Sequence, residues 1–156
     1  MPQITPGGKY VFGWSIISPN NEMMIPLETM REYGFEIGKP AFLISGSKTS
    51  GAFSLGNQLF RDHPRFAGLF QQYPGLVRFQ AEEGMIFPYK GRCYGWVRVK
   101  TGGILQLPAA TLTQLGLQPG DQLMVIRGSN LAFDYAIRGP LVERARQHPE
   151  ILVFSC

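Results

Sequence analysis

Cysteine is nearly absent from this 156-residue chain. Cys93 and Cys156 are the only two and form no CxxC pair, so neither a disulfide framework nor a cysteine-based metal site is expected. Histidine is equally scarce. His63 and His148 each precede a proline and are read as helix-terminal or surface residues rather than as general bases. No group of ligand-type residues has a recognised metal spacing, so no cofactor is expected, and an enzyme is the least expected class. Long apolar runs are missing too: nothing approaches the roughly 18 residues of a membrane span. The opening Met-Pro-Gln-Ile-Thr-Pro-Gly-Gly lacks the charged and apolar parts of a signal peptide. The expectation is a cytoplasmic protein without a membrane partner. Charge of one sign is also thin, at +4 net. Residues 1–55 carry four basic and four acidic groups, so the whole excess lies further along the chain.

What the chain does have is itself, twice. At a shift of 82 residues, Gly13-Trp14 recurs as Gly95-Trp96 and Ile25-Pro26 as Leu107-Pro108. Gly34 recurs as Gly116, Gly38 as Gly120, and Ile44-Ser45-Gly46-Ser47 as Ile126-Arg127-Gly128-Ser129. Nine of the 35 positions from Gly13 to Ser47 are identical under that shift. A period so long lies outside the roughly 20 to 50 residues of solenoids, and implies a duplicated unit whose copies complete one fold.

Each copy opens on an aromatic and β-branched stretch, residues 10–17 and 94–99, which reads as a strand. Turn chemistry follows, Ser18-Pro19-Asn20-Asn21 in one copy and Lys100-Thr101-Gly102-Gly103 in the other. A short returning strand ends at Pro26 or Pro108. A helix of one or two turns comes next, residues 27–33 and 109–115, with Gly34 or Gly116 suited to its left-handed cap. Two apolar strands separated by a Gly-Ser turn close the unit near Leu55 and Ile137.

The stretch Ile-Leu-Gln-Leu-Pro-Ala-Ala-Thr-Leu-Thr-Gln-Leu-Gly-Leu-Gln-Pro-Gly-Asp-Gln-Leu-Met-Val, residues 104–125, resembles the signature of the AbrB/SpoVT/MazE-like swapped-hairpin family. Residues 23–43 carry a degraded version, with Tyr33-Gly34-Phe35 for Leu-Gly-Leu and Ile37-Gly38-Lys39 for Pro-Gly-Asp. The resemblance implies a mainly β protein with short helices (α+β), in which two copies interlock hairpins to close one pseudo-two-fold β-barrel. The halves would be residues 10–55 and 94–138, with a helical connection over 56–93 and a C-terminal helix and strand over 139–156. Trp14 and Trp96 are expected in the barrel packing, Cys93 as a small core hydrophobe and Glu82-Glu83 in a solvated loop. Within the connection, residues 57–72 read as helix interrupted at His63-Pro64, residues 76–79 as a strand and residues 89–92 as loop.

The resemblance also implies binding of double-stranded DNA and transcriptional control, through basic residues on the hairpins and their flanks. The match departs from the family where a base is usual four places before the strand-ending proline, since Glu22 and Ile104 stand there. The bases that remain are Arg31, Arg98 and Lys100, supplemented by Lys90, Arg92 and Arg127. A second reading is a small-molecule or anion-binding module. Its loop would be Ser45-Gly46-Ser47-Lys48-Thr49-Ser50-Gly51, whose backbone N–H groups, hydroxyls and ammonium suit an oxyanion, although the spacing is not that of a P-loop. The counterpart loop with Gly128 and Ser129 would flank the same pocket. A third reading is an antitoxin-like protein-interaction module using the appended helices. A pseudo-dimer of this kind can remain monomeric or form a homodimer.

Overall fold

A computed structural model describes residues 10–156. Among the described residues there are ten strands and six short helices, a mixed α+β arrangement. In the first copy, β1 (Val11–Ile16) turns into β2 (Glu22–Met24), α1 (Leu27–Tyr33), β3 (Pro40–Ser45) and β4 (Phe53–Gly56). The second copy repeats the order as β6 (Arg92–Arg98), β7 (Ile104–Gln106), α5 (Ala109–Gln114), β8 (Gln122–Ile126) and β9 (Ala132–Ala136). Between them lie α2 (Gln58–Asp62), a 3-10 turn at Pro64–Phe66, α3 (Ala67–Gln72), α4 (Pro74–Val77) and β5 (Ile86–Tyr89). The chain ends in α6 (Pro140–Ala145) and β10 (Val153–Phe154).

The strands pair across the copies. Strand β1 lies against β8 with Trp14 opposite Met124, and β6 lies against β3 with Trp96 opposite Phe42. These are corresponding pairs under the 82-residue shift. Strands β2 and β7 pair only with each other, centred on Met23 opposite Leu105, and β4 meets β9 with Phe53 opposite Tyr135. Neither copy therefore holds its first strand against its own third strand. The main sheet runs β10-β1-β8-β9-β4-β3-β6-β5. Where closure into a barrel was expected, this sheet is open, with β10 and β5 as its edges. Pairing with β10 and β5 takes up the outer sides of β1 and β6.

One central core draws Phe12, Met23, Leu43, Leu55, Val97, Leu105, Val125 and Phe133 from both copies. Each is nearly or wholly buried, at roughly 1.5 to 3 kcal/mol per side chain, so separating the copies would expose most of the apolar material that stabilises either. Two satellite clusters cover the other face of the sheet. Trp14, Met124 and Ile126 pack under Val142 and Ala145 of α6, while Phe42, Tyr94 and Trp96 pack under Phe60, Leu69 and Leu76 of the connecting helices. The two tryptophans thus serve the appendages rather than the central core. Trp96 also donates its indole N–H to the Ala81 carbonyl at 2.7 Å.

Local chemistry explains the repeated glycines. A Cβ on Gly95 would lie 2.0 Å from the Met85 carbonyl oxygen, and one on Gly13 2.6 Å from the Phe154 ring. Only glycine lets the neighbouring segment pass so close. Gly34 caps α1 in the left-handed region at φ 74°, and Gly116 adopts φ 73° after α5.

Two expectations for the connection are corrected. Residues 76–79 do not form a strand; Pro74–Val77 is helical, because proline fits a first turn and Leu76 is fully buried under the sheet's outer face. Residues 89–92 are not loop but the tip of the β5–β6 hairpin, Tyr89 opposite Arg92, with Lys90 held at φ 47°.

One repeated side chain is treated differently by the two copies. Thr29 in α1 and Thr111 in α5 are counterparts and both fully buried. Thr111 donates its hydroxyl to the Gly84 carbonyl at 2.6 Å, whereas the Thr29 hydroxyl has no partner among the described residues.

Candidate functional site

The six bases expected on the DNA-facing side fall into three separate places, two in each. Arg98 and Lys100 lie by the second hairpin, in a groove of about 600 Å³ that also takes in Asn20, Asn21 and Glu83. Arg98 donates to the Gly38 carbonyl at 2.8 Å, and its backbone N–H is held by Glu83 at 2.9 Å. Lys100 donates to Gln106 at 2.9 Å and stands 3.8 Å from Glu22. The exposed Lys100–Glu22 pair contributes at most about 1 kcal/mol. Lys90 and Arg92 sit at the opposite end of β6, on the β5–β6 hairpin. Six residue steps separate Arg92 from Arg98, roughly 20 Å along an extended strand.

Arg31 and Arg127 form the third place. They share a groove of about 610 Å³ between the end of α1, the start of α2 and the β8–β9 turn, together with Gly128 and Ser129. The Arg127 guanidinium forms a two-pronged pair with Glu32, Nε donating to Oε2 at 2.8 Å and a second N–H to Oε1. It also lies 4.7 Å over the Tyr10 ring. The hydrogen bond to Glu32 raises the Arg127 pKa. Beneath it, the Gly128 N–H donates to the Tyr33 hydroxyl at 3.0 Å. Burial pushes the Tyr33 pKa up, with the Gly128 hydrogen bond opposing that shift. Asn57 fixes the far wall: its amide donates to the carbonyls of Tyr33 at 3.2 Å and Asn130 at 3.0 Å, and its oxygen caps α2 at Leu59 N.

The loop from Ser45 to Gly51 turns several of its donors inward. The N–H groups of Ser50 and Gly51 are taken up within the loop by Ser47 Oγ and Ser47 O, and that of Gly46 by Ala52 O just beyond it. Ser47 and Ser50 hydroxyls bond each other at 2.9 Å, Ser45 Oγ accepts from Cys93 N, and the Lys48 carbonyl is held by Arg138. The two Gly-Ser turns do not flank one pocket. Thr49 and Ser50 line a cleft of about 170 Å³ beside Arg138 and Leu141, while Gly128 and Ser129 line the Arg31 groove. The expected shared pocket is therefore corrected to two distinct places.

Glu32, Tyr33, Asn57 and Tyr10 were not named from sequence as site residues. The signal that could have found them is departure between the copies: Glu32 stands where the second copy has Gln114, and Tyr33 where it has Leu115. Among the described residues no cluster of three potential metal ligands exists, and no helix is long and apolar enough to cross a membrane. No protein-family model matches the chain, and no curated protein matches it either.

Proposed function

We propose that this chain is a DNA-binding transcriptional regulator of the AbrB-like type, a tandem duplication in which each half lends its hairpin to the other. The observation that supports this reading is the register of pairing. Met23 faces Leu105 and Phe53 faces Tyr135, each residue opposite its own counterpart. That is what a two-fold relation between interlocked halves produces. In this reading the protein works in the cytoplasm.

In this reading Arg98 and Lys100 meet the duplex backbone from the second hairpin, whose counterpart positions in the first copy are Ile16 and Ser18. The binding face is therefore one-sided, unlike that of a symmetric dimer with the same bases on both hairpins. Contacts of this kind release counterions, with a slope of about −0.9 per phosphate in log K against log salt.

Fluorescence anisotropy with a random-sequence duplex, titrated from low to moderate salt, tests the proposal. The expected result is salt-sensitive binding whose slope drops by about two units in Arg98→Ala/Lys100→Ala. Binding absent at low salt, or a slope unchanged in the double variant, refutes it.

A further inference from the structure

We infer that the groove holding Arg31 and Arg127 is a binding site for a small organic oxyanion, a carboxylate or phosphate ester with an apolar body, in which Glu32 is the internal counter-ion the ligand displaces. The inference does not rest on DNA binding, which the proposed function assigns to Arg98 and Lys100.

The duplication supplies an internal control. Both copies build this corner from the same parts: a helix ended by a left-handed glycine, Gly34 or Gly116, and a Gly-Ser turn, Gly128-Ser129 or Gly46-Ser47. The scaffold therefore needs those glycines. It does not need the charges, because Arg31, Glu32, Tyr33 and Arg127 of this groove correspond to Thr113, Gln114, Leu115 and Ser45 at the other corner. The other corner keeps single cations, Arg92 donating to the Ser45 carbonyl at 3.5 Å and Lys48 in the turn, but paired arginines with a carboxylate and a phenol stand at only one of the two places.

The groove's geometry matches the ligand class. Its volume of about 610 Å³ falls within the roughly 300 to 1,000 Å³ of small-molecule sites. Arg127 is preorganised by the Tyr10 ring and by a carboxylate that already occupies its two-donor fork, the arrangement a ligand oxyanion would adopt on replacing Glu32. Arg31 is exposed, lines the same groove and takes no ion pair among the described residues. Ser129 Oγ accepts from Leu131 N at 3.1 Å, which leaves its hydroxyl proton for a ligand. Leu59, 55% exposed, supplies an apolar wall.

Calorimetric titration of the full chain with sodium phosphate and with sodium benzoate, at fixed ionic strength, tests the site. Saturable binding of at least one probe is expected, weakened about tenfold or more by Arg31→Gln, tightened by Glu32→Gln as Arg127 is released, and unchanged by Lys48→Gln in the other turn. Amide shifts of Gly128 and Ser129 in the unmutated protein provide a second readout that needs no variant. Three results would overturn the inference: no saturable binding of either probe, equal effects of Arg31→Gln and Lys48→Gln, or weaker binding by Glu32→Gln. A duplex that displaces phosphate, with its own affinity lowered by Arg31→Gln, would also overturn it, by assigning the groove to DNA phosphate.

Discussion

Thr29 and Thr111 are the same residue at equivalent places in equivalent helices, yet replacing each with valine should change stability in opposite directions. Valine keeps the β-branched shape and its χ1 restriction, so the substitution reads the hydroxyl alone. At Thr111 it removes a fully buried 2.6 Å hydrogen bond and leaves the Gly84 carbonyl without that donor, a loss of roughly 1 to 3 kcal/mol. At Thr29 it removes a buried hydroxyl that has no partner among the described residues, a gain of about 1 kcal/mol. In a chain of this size 1 kcal/mol moves Tm by about 2 to 4 °C. Thr29→Val should therefore melt about 2 to 4 °C higher, and a 2 kcal/mol loss should bring Thr111→Val down by about 4 to 8 °C. Urea unfolding should show shifted midpoints with unchanged slopes. The reasoning is refuted if Thr29→Val destabilises as much as Thr111→Val.

Tyr135 is wholly buried, and burial holds its pKa well above 10.0, so the folded protein keeps it neutral where the unfolded chain would ionise it. Its contribution is fully present below about pH 10 and is lost as pH rises beyond, by up to about 1.4 kcal/mol per pH unit. Urea midpoints between pH 8 and 11 should fall less steeply in Tyr135→Phe, whose loss of the bond to Met24 O still leaves that carbonyl the Ser15 hydroxyl. An equal alkaline slope in both proteins contradicts this. Gly95→Ala would place a methyl 2.0 Å from the Met85 carbonyl and should cost about 1 to 3 kcal/mol as overpacking does. Gly38→Ala, with nothing within 4 Å of the new carbon, should cost only the strain of φ 83°, roughly 1 to 2 kcal/mol. An undiminished hydrogen-exchange protection of the β5–β6 hairpin in Gly95→Ala would count against the close approach.

The repeat made the strand-hairpin-helix-strand-strand order of both copies legible, since glycines, prolines and apolar runs recur at fixed positions. Local signals could not show what happens at the sheet's edges. Residues 86–89 contain Pro88, which argues against a central strand, but β5 is an edge and an edge tolerates a missing donor; Tyr73 donates to the Pro88 carbonyl from outside at 2.6 Å. Residues 76–79 form an apolar run too short to distinguish strand from buried helix by periodicity. Closure into a barrel was a property of the family likeness, and nothing in the chain's spacing reported that β10 would pair with β1. Of the candidate site, Arg31, Arg127, Gly128 and Ser129 were named from sequence in two different roles. Their meeting in one groove depends on the fold of both copies, and the residues that complete it, Glu32 and Tyr33, look like an ordinary helix end until compared with Gln114 and Leu115.

The claim that the two copies share one cooperative core is tested most directly by their own tryptophans. Trp14 reports from under α6 and Trp96 from under the connecting helices, on different copies and in different satellite clusters. In Trp14→Phe and Trp96→Phe, each with a single remaining tryptophan, urea unfolding followed by that tryptophan's fluorescence should coincide in midpoint and slope with unfolding of the same variant followed by far-ultraviolet circular dichroism. Within either variant, a tryptophan transition displaced from the loss of secondary structure would contradict it, because copies that melt apart do not depend on each other's strands.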